Sequence, residues 1–153
     1  LDMKTWGGLP EKYNGVSDAC ILVDEEAVDS YSIWPILSKQ GASNRKDLVY
    51  ESGKGYLSLR TPQLKLVFNG GSGGWGYPNK PADLAQLPPM QLFNLKEDPS
   101  EKENIIHDKC YEQEVKEMTQ LIRKYVKEGR STPGAEVAND TENDWKQVNI
   151  FMQ

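Results

Sequence analysis

The sequence predicts an α+β fold: a four-stranded antiparallel sheet with one long C-terminal helix packed on one face. Two observations carry this prediction. Short segments with alternating apolar and polar residues are separated by turns rich in Gly and Pro, which is typical of strands with one buried face. In residues 112–127 the apolar side chains instead recur every three or four positions, which predicts an amphipathic helix that can cover a sheet.

Four segments show the strand pattern. They are 47–52 (DLVYES), 56–60 (YLSLR), 64–68 (LKLVF) and 92–95 (LFNL). Alternation places Leu57 and Leu59 on one face of the second strand, and Leu64, Leu66 and Phe68 on one face of the third. Because the connection between the first two strands is a short Gly-Lys-Gly turn, we expect antiparallel pairing, with the opposite face of the sheet in water.

The predicted helix has a complete set of end signals. Val115, Met118, Ile122 and Tyr125 form its apolar seam. Glutamates are enriched at its start and lysine and arginine at its end, as the helix dipole favours. Gly129 follows the last helical residues and is a natural C-terminal stop.

The N-terminal part has weaker patterns. We expect residues 1–28 to form an irregular lead-in. Segment 29–37 (DSYSIWPIL) is predicted to form one or two helical turns capped by Asp29 or Ser30. The side chains expected to anchor those turns are Ile33, Trp34, Ile36 and Leu37. Since the chain begins with Leu1 rather than Met, we expect it to be part of a larger protein.

The segment 69–89 is rich in glycine and proline and contains Trp75. Four prolines between 78 and 89 argue against regular structure there. Two interpretations are open. The segment is either a disordered connector between the third and fourth strands, or a shaped loop whose backbone approaches another part of the chain closely and which presents Trp75 as an anchor.

Charge and hydropathy exclude two classes of partner. The 153 residues carry a formal net charge of −5, and no basic run exceeds two residues, so the cationic footprint needed for nucleic acid is missing. No stretch approaches the roughly 18 apolar residues needed to span a bilayer. The mean hydropathy of −0.68 indicates that part of the chain is loop or tail rather than core.

Familiar catalytic and metal-binding motifs are absent from the sequence. His107 is the only histidine, which rules out a His-rich metal site or a complete hydrolytic triad within this chain, and we expect its side chain to face solvent. The carboxylates at 97, 98, 101 and 103 lack the spacing of a calcium loop. Cys20 and Cys110 form no CxxC; they are either two separate buried thiols or one disulfide.

Four segments, in order, resemble the C-terminal subdomain of type I, formylglycine-dependent sulfatases of the arylsulfatase type. Segment 29–37 resembles the family's Asp-Ser-x-x-hydrophobic-Leu-Pro-x-Leu stretch, and 71–75 (GSGGW) matches a loop common in these enzymes. Segment 91–103 (QLFNLKEDPSEKE) resembles Gln-Leu-Tyr-Asn-Leu-x-x-Asp-Pro-x-Glu. Segment 130–134 (RSTPG), followed by Asn139-Asp140, resembles the usual C-terminal finish.

The resemblance implies a larger, secreted or periplasmic parent enzyme. Its N-terminal catalytic domain would carry calcium and the formylglycine made from a Cys- or Ser-x-Pro-x-Arg motif, and that domain would be this chain's partner, with sulfated carbohydrate as a further partner. This chain lacks the motif; 131–135 ends in Ala135 where Arg is needed. We therefore expect no cofactor and no sulfatase activity in the chain alone. The implied boundaries are a lead-in at 1–28, the subdomain at 29–140 and a tail at 141–153.

The resemblance also indicates where substrate would be contacted. The family often has His-His-Ser-x-x-Gly-x-Phe-x-Ile-Arg on a hairpin facing the cleft, which corresponds to 50–60 here. Ser52, Gly55 and Arg60 match, whereas Tyr50 and Glu51 replace the two histidines. The change indicates either a different substrate or a hairpin kept only for structure. The candidate substrate-binding residues are Tyr50, Glu51, Ser52, Lys54, Arg60 and Trp75.

A second hypothesis comes from a different class of protein. Trp75, Tyr77 and Tyr56 could stack on sugar rings, which would make the chain a free-standing carbohydrate-binding or interaction module. The apolar residues near the C-terminus could also mediate self-association.

Overall fold

The computed structural model describes residues 31–39, 41–138 and 152. They fall into two compact units. The described part of the smaller unit comprises 31–39, 41–45 and 130–136; that of the larger comprises 46–129, 137–138 and 152. The predicted lead-in 1–28, the caps Asp29 and Ser30, Cys20 and all of the predicted tail except Met152 lie outside the described residues.

The larger unit contains the predicted four-stranded antiparallel sheet. Its strands are β1 (Leu48–Glu51), β2 (Leu57–Arg60), β3 (Leu64–Val67) and β4 (Gln91–Asn94). Strand order follows chain order, so every strand pairs with its sequence neighbour. Each observed strand lies within one residue of the predicted segment, and the α+β prediction is confirmed.

One cross-strand row forms the centre of the core. Val49 pairs with Leu59, Leu59 with Leu66, and Leu66 with Leu92. Leu59, Leu66 and Leu92 are completely buried. They belong to one apolar cluster with Phe68, and Met152 packs against the same cluster. The alternation in the sequence therefore predicts the buried face correctly, because successive side chains point to opposite sides of a strand.

The long helix covers this buried face as predicted. A 3₁₀ turn (Lys109–Tyr111) leads into helix α3 (Glu112–Glu128). Met118 and Ile122 are its buried residues and join the core cluster of the sheet. Gly129 ends the helix in the left-handed conformation (φ 66°), and its N–H donates to the Tyr125 carbonyl.

The other face of the sheet is less exposed to water than the sequence predicts. Ser58 and Phe93 on this face are only 4% and 6% exposed. Lys65, also on this face, is half-buried. The alternating pattern identified the more apolar face but could not show that parts of the second face are covered as well.

The predicted helical turn within 29–37 is present, but its side-chain burial and a second short helix differ from expectation. In the smaller unit, α1 (Trp34–Leu37) is a single turn whose N-cap residue Ile33 makes no side-chain cap. Ile33, Ile36 and Leu37, predicted as anchors, are exposed by 61%, 49% and 65%. In the larger unit, the proline-rich segment contains a short helix, α2 (Pro81–Leu84), although regular structure was not expected there. Pro81 fits because proline is tolerated in the first helical turn. None of the helices described is long and apolar enough to cross a membrane.

Candidate functional site

The glycine-rich segment 69–80 is a shaped loop bound to the β1–β2 turn. The backbone N–H of Lys54 at the turn donates to the Gly73 carbonyl at 3.2 Å, and the Lys54 ammonium donates to the Asn79 carbonyl at 3.1 Å. A Cβ on Gly73, where φ is +66°, would lie 3.0 Å from the Ser52 side chain. Of the two open interpretations, the structure supports the shaped loop.

Close backbone packing explains why glycine is required at two positions of this loop. A Cβ on Gly70 would lie 2.3 Å from the Pro88 carbonyl oxygen. A Cβ on Gly71 would lie 2.3 Å from Leu84 Cδ2 and 2.5 Å from the Pro78 oxygen. Both distances are far inside van der Waals contact, so any side chain would displace the loop from the α2 segment.

Gln91, the first residue of β4, fastens the same loop to the sheet. Its side-chain amide donates to the carbonyls of Asn69 and Gly71, both at 2.8 Å. Two loop carbonyls that face the protein are thereby satisfied by one side chain. The sequence did not predict this role, because Gln91 is 20 positions from Gly71 and no repeat connects the two.

The tip of the loop exposes two aromatic rings. Trp75 is 97% exposed and Tyr77 is 84% exposed. The backbone beneath them is held by side chains: Asn79 donates to the Trp75 carbonyl at 2.7 Å, and Ser72 Oγ donates to the Gly76 carbonyl at 2.7 Å. Both rings are therefore presented on a backbone that side chains hold in place, and the anchor role of Trp75 stays a prediction.

Ser52 and Lys54 both have structural partners within the chain. Ser52 Oγ accepts from the N–H groups of Lys54 and Tyr56, at 3.4 and 3.1 Å, and so shapes the β1–β2 turn. Lys54 joins that turn to the glycine-rich loop. The match of Ser52 to the sulfatase hairpin motif thus has an explanation in turn formation alone.

Tyr50 contacts a charged pair on the partly covered face of the sheet. Lys65 Nζ forms an ion pair with Glu101 and lies 5.4 Å from the centroid of the Tyr50 ring. Burial lowers the pKa of Lys65, but the hydrogen bonds of its ammonium with Glu101 and Tyr50 outweigh that effect, so the pKa of Lys65 is raised. Sequence analysis did not single out Lys65 or its pairing with Glu101.

Arg60 and Glu51 occupy opposite faces of the hairpin. Arg60 pairs with Lys65 across β2 and β3, so both cations lie on the partly covered face. Arg60 is exposed, and its guanidinium has no ion pair within 31–39, 41–138 and 152. Glu51 is exposed and pairs with Leu57, which places it on the other face. The six predicted residues therefore do not form a single cluster.

Residues 96–104 (KEDPSEKEN), which follow β4, form a turn held by hydrogen bonds between side chains and the backbone. We call this turn the bracket. Asp98 Oδ2 accepts from the N–H groups of Lys102 and Glu103, at 2.6 and 2.8 Å. Asn104 Oδ1 accepts from the N–H groups of Leu92 and Ile106, at 3.0 and 3.1 Å. This bracket positions Glu101, at φ +54°, for its ion pair with Lys65.

In the smaller unit, a hydrogen bond connects segment 29–37 to segment 130–134, the first and last of the four segments that resemble sulfatases. The Tyr31 hydroxyl donates to the Ser131 carbonyl at 3.3 Å. Arg130 folds back over its own turn, donating from Nε to the Thr132 carbonyl and from Nη1 to the Ala135 carbonyl, both at 2.9 Å. The RSTPG segment is therefore a turn organised by its arginine.

The described residues provide no metal-binding constellation. No group of three or more His, Cys, Asp or Glu side chains lies close enough to hold an ion within 31–39, 41–138 and 152. His107 is exposed, as predicted. Cys110 is also exposed, with a free thiol, so the prediction that it is a buried thiol is wrong. It lies in the 3₁₀ turn before α3, of which Tyr111 and not Cys110 packs against the core.

The comparisons with known proteins find solved structures that are similar to part of this chain. No protein-family model matches the chain. No curated protein matches it. One similar solved structure comes from work on the metabolism of multiple glycosaminoglycans by Bacteroides thetaiotaomicron; it has a TM-score of 0.49 and 21% identity, over 70% of this chain and 23% of that chain.

A second similar structure is a protein in complex with its substrate D-glucosamine-2-N,6-O-disulfate. Its TM-score is 0.46 and its identity 21%, over 70% of this chain and 22% of that chain. The chain therefore spans less than a quarter of the length of both proteins.

Proposed function

We propose that this chain is the C-terminal part of a sulfatase, which completes the fold of a larger parent enzyme and lines one side of its substrate cleft. The N-terminal catalytic domain of that enzyme, with its calcium and formylglycine, is the proposed partner. The parent enzyme is proposed to be secreted or periplasmic and to act on a sulfated carbohydrate.

One observation carries the proposal: the segments that resemble the family contact one another in pairs. Segment 71–75 is bonded to segment 91–103 through Gln91 and the Gly71 carbonyl. Segment 29–37 is bonded to segment 130–134 through Tyr31 and the Ser131 carbonyl. Residues that cooperate in one structural role are expected to occur together, so each contact supports treating the two matches that it joins as parts of one structural unit.

The exposed apolar side chains of α1 support a missing partner domain. Ile33, Ile36 and Leu37 belong to the segment that the resemblance assigns to closure of the large domain, and all three are largely exposed. Burying such side chains stabilises an interface by roughly 25 cal/mol per Å² of apolar surface. We propose that the catalytic domain covers them in the parent enzyme.

Arg60 is the residue best suited to a role in the cleft. Its neighbour Lys65 is neutralised by Glu101, whereas the exposed guanidinium of Arg60 is available for a carboxylate or sulfate, which arginine can bind through two parallel hydrogen bonds. Tyr50 lies beside this pair of cations. Glu51, on the opposite face, is not proposed as part of the same contact.

The proposal is tested first by the reading frame upstream of the codon for Leu1. An open frame that encodes a Cys- or Ser-x-Pro-x-Arg motif would support it, and a stop codon or an unrelated domain would contradict it. As a second test, we expect the purified chain to hydrolyse no chromogenic aryl sulfate in the presence of calcium. Turnover above the rate in buffer would refute the assignment of catalysis to a missing domain.

A further inference from the structure

The loop 69–80 has the features of a ligand-binding surface, independently of the sheet face that carries Arg60. Trp75 and Tyr77 are almost fully exposed, two positions apart, on a backbone that is fastened by Gln91, Lys54 and Asn79. An aromatic ring held on an ordered backbone loses little conformational freedom when it binds, which reduces the entropic cost of association.

The charge near these rings favours an anionic ligand. Residues 69–80 include no Asp or Glu, although the whole chain has a net charge of −5. The Lys54 ammonium donates one hydrogen bond to the Asn79 carbonyl, which leaves two of its three donors for a ligand. Lys80 is also exposed.

Two carboxylates, those of Glu51 and Asp83, belong to the segments that adjoin the loop but lie outside residues 69–80. Glu51 points to the face of the hairpin opposite Ser52, the residue that the glycine-rich loop contacts. Asp83 accepts from the backbone N–H of Lys80 at the start of α2, at 3.4 Å.

We propose that Trp75, Tyr77 and Lys54 form a binding site for a sugar ring that carries an anionic group, sulfate or carboxylate. The apolar face of the ring stacks on the aromatic side chains, and its anion pairs with the Lys54 ammonium. Two cations are too few for nucleic acid. Residues 69–80 contain no strand with which an extended acidic peptide could pair. The site lies entirely within this chain and does not depend on a catalytic domain.

The binding test uses the whole chain labelled with 5-fluorotryptophan and observed by ¹⁹F NMR. The Trp75 resonance is assigned by its disappearance in Trp75→Phe. Glucosamine 6-sulfate and glucuronic acid should each shift this resonance saturably, and glucose should bind about tenfold more weakly. Added salt should weaken binding of the two acidic sugars but not of glucose, because salt screens an exposed charge pair. Comparison of the two acidic sugars shows which anion is preferred.

Variants provide the control for ring stacking. Because the Trp75 side chain is 97% exposed, Trp75→Ala should unfold at the wild-type temperature while its affinity, followed by calorimetry, falls about tenfold. Trp75→Phe should retain most of the affinity. Leu37→Ala removes another exposed apolar side chain and should leave binding unchanged.

Three results would overturn the proposed site: no saturable shift with either acidic sugar, wild-type affinity in Trp75→Ala, or an equal response to triglutamate or inorganic sulfate. A negative result here leaves the upstream reading frame, and hence the sulfatase proposal, untouched. Conversely, a stop codon upstream of Leu1 leaves the binding prediction unchanged.

Discussion

Lys65 on β3 is ion-paired with Glu101, which lies in the turn beyond β4, 36 positions later in the chain. The Lys65 side chain is 15% exposed and that of Glu101 is 34% exposed. The pair therefore links the third strand to the bracket that follows the fourth strand, on the face of the sheet that also carries Tyr50 and Arg60.

We expect Glu101→Gln to lower the free energy of unfolding by about 1 kcal/mol, because a half-buried ammonium would lose its charged partner. Urea denaturation measures the change. Glu128→Gln is the matched control: Glu128 pairs with Lys124, which is 61% exposed, at 3.8 Å along α3. That control should cost less than about 0.5 kcal/mol. Equal effects of the two variants would contradict the special role of the Lys65 pair.

The same pair predicts a pH dependence at the alkaline end. The pKa of Lys65 is raised above 10.5 in the folded chain, so folding is favoured by the protonated form. The resulting stabilisation is fully present below pH 10.5 and is lost as the pH rises through the folded pKa. Unfolding free energies of the wild type and Glu101→Gln should converge in that range. A difference that stays constant through it would refute the assignment.

Gly71 and Gly74 form a matched pair for testing loop packing. Gly71→Ala should destabilise the chain by about 1–3 kcal/mol, because its Cβ would collide with Leu84 and the Pro78 carbonyl. A Cβ on Gly74 meets nothing within 4 Å, so Gly74→Ala should change stability by less than about 0.5 kcal/mol. Thermal and urea unfolding measure both. Similar losses in the two variants would mean that the loop is not packed as described.

Gln91→Leu should loosen the glycine-rich loop. The variant leaves the carbonyls of Asn69 and Gly71 without their donor, at a cost of about 1–3 kcal/mol, and hydrogen exchange across 69–80 should accelerate. Gln120→Leu, at an exposed position of α3, is the control and should leave exchange in the loop unchanged. Unaltered exchange in Gln91→Leu would show that other contacts suffice to order the loop.

Cys110 should react slowly with alkylating agents despite its exposure. Its hydrogen bond with Asp108 and the charge of that carboxylate raise the pKa of the thiol, so less thiolate is present at a given pH near neutrality. Asp108→Asn should lower the pKa of Cys110 and speed its reaction with iodoacetamide, followed by peptide mass spectrometry. The side-chain amide oxygen of this variant can still accept from the Cys110 N–H, so the turn is preserved. An unchanged rate would contradict the role of Asp108.

The sequence alone determined the four strands and the long helix of the larger unit, and the side of the sheet that is buried. Alternation in 56–60 and 64–68, and the three-to-four-residue repeat in α3, directly encode which side chains face the core. Hence the pattern indicated that Leu59, Leu66, Met118 and Ile122 would face the core, whereas the pairing of Leu59, Leu66 and Leu92 came from the structure. The stop at Gly129 followed from the conformational freedom of glycine.

Only the tertiary structure decided which distant groups meet. Gln91 contacts Gly71, 20 positions away, and Glu101 contacts Lys65, 36 positions away. Periodicity carries no information about either contact, because the loops that bring these residues together have no repeat. The same limit explains the roles of Ser52 and Lys54, whose polar atoms are largely used in shaping and fastening the β1–β2 turn. The sequence also could not show that Ile33, Ile36 and Leu37 are exposed. An apolar side chain indicates a preference for burial but does not show what covers it.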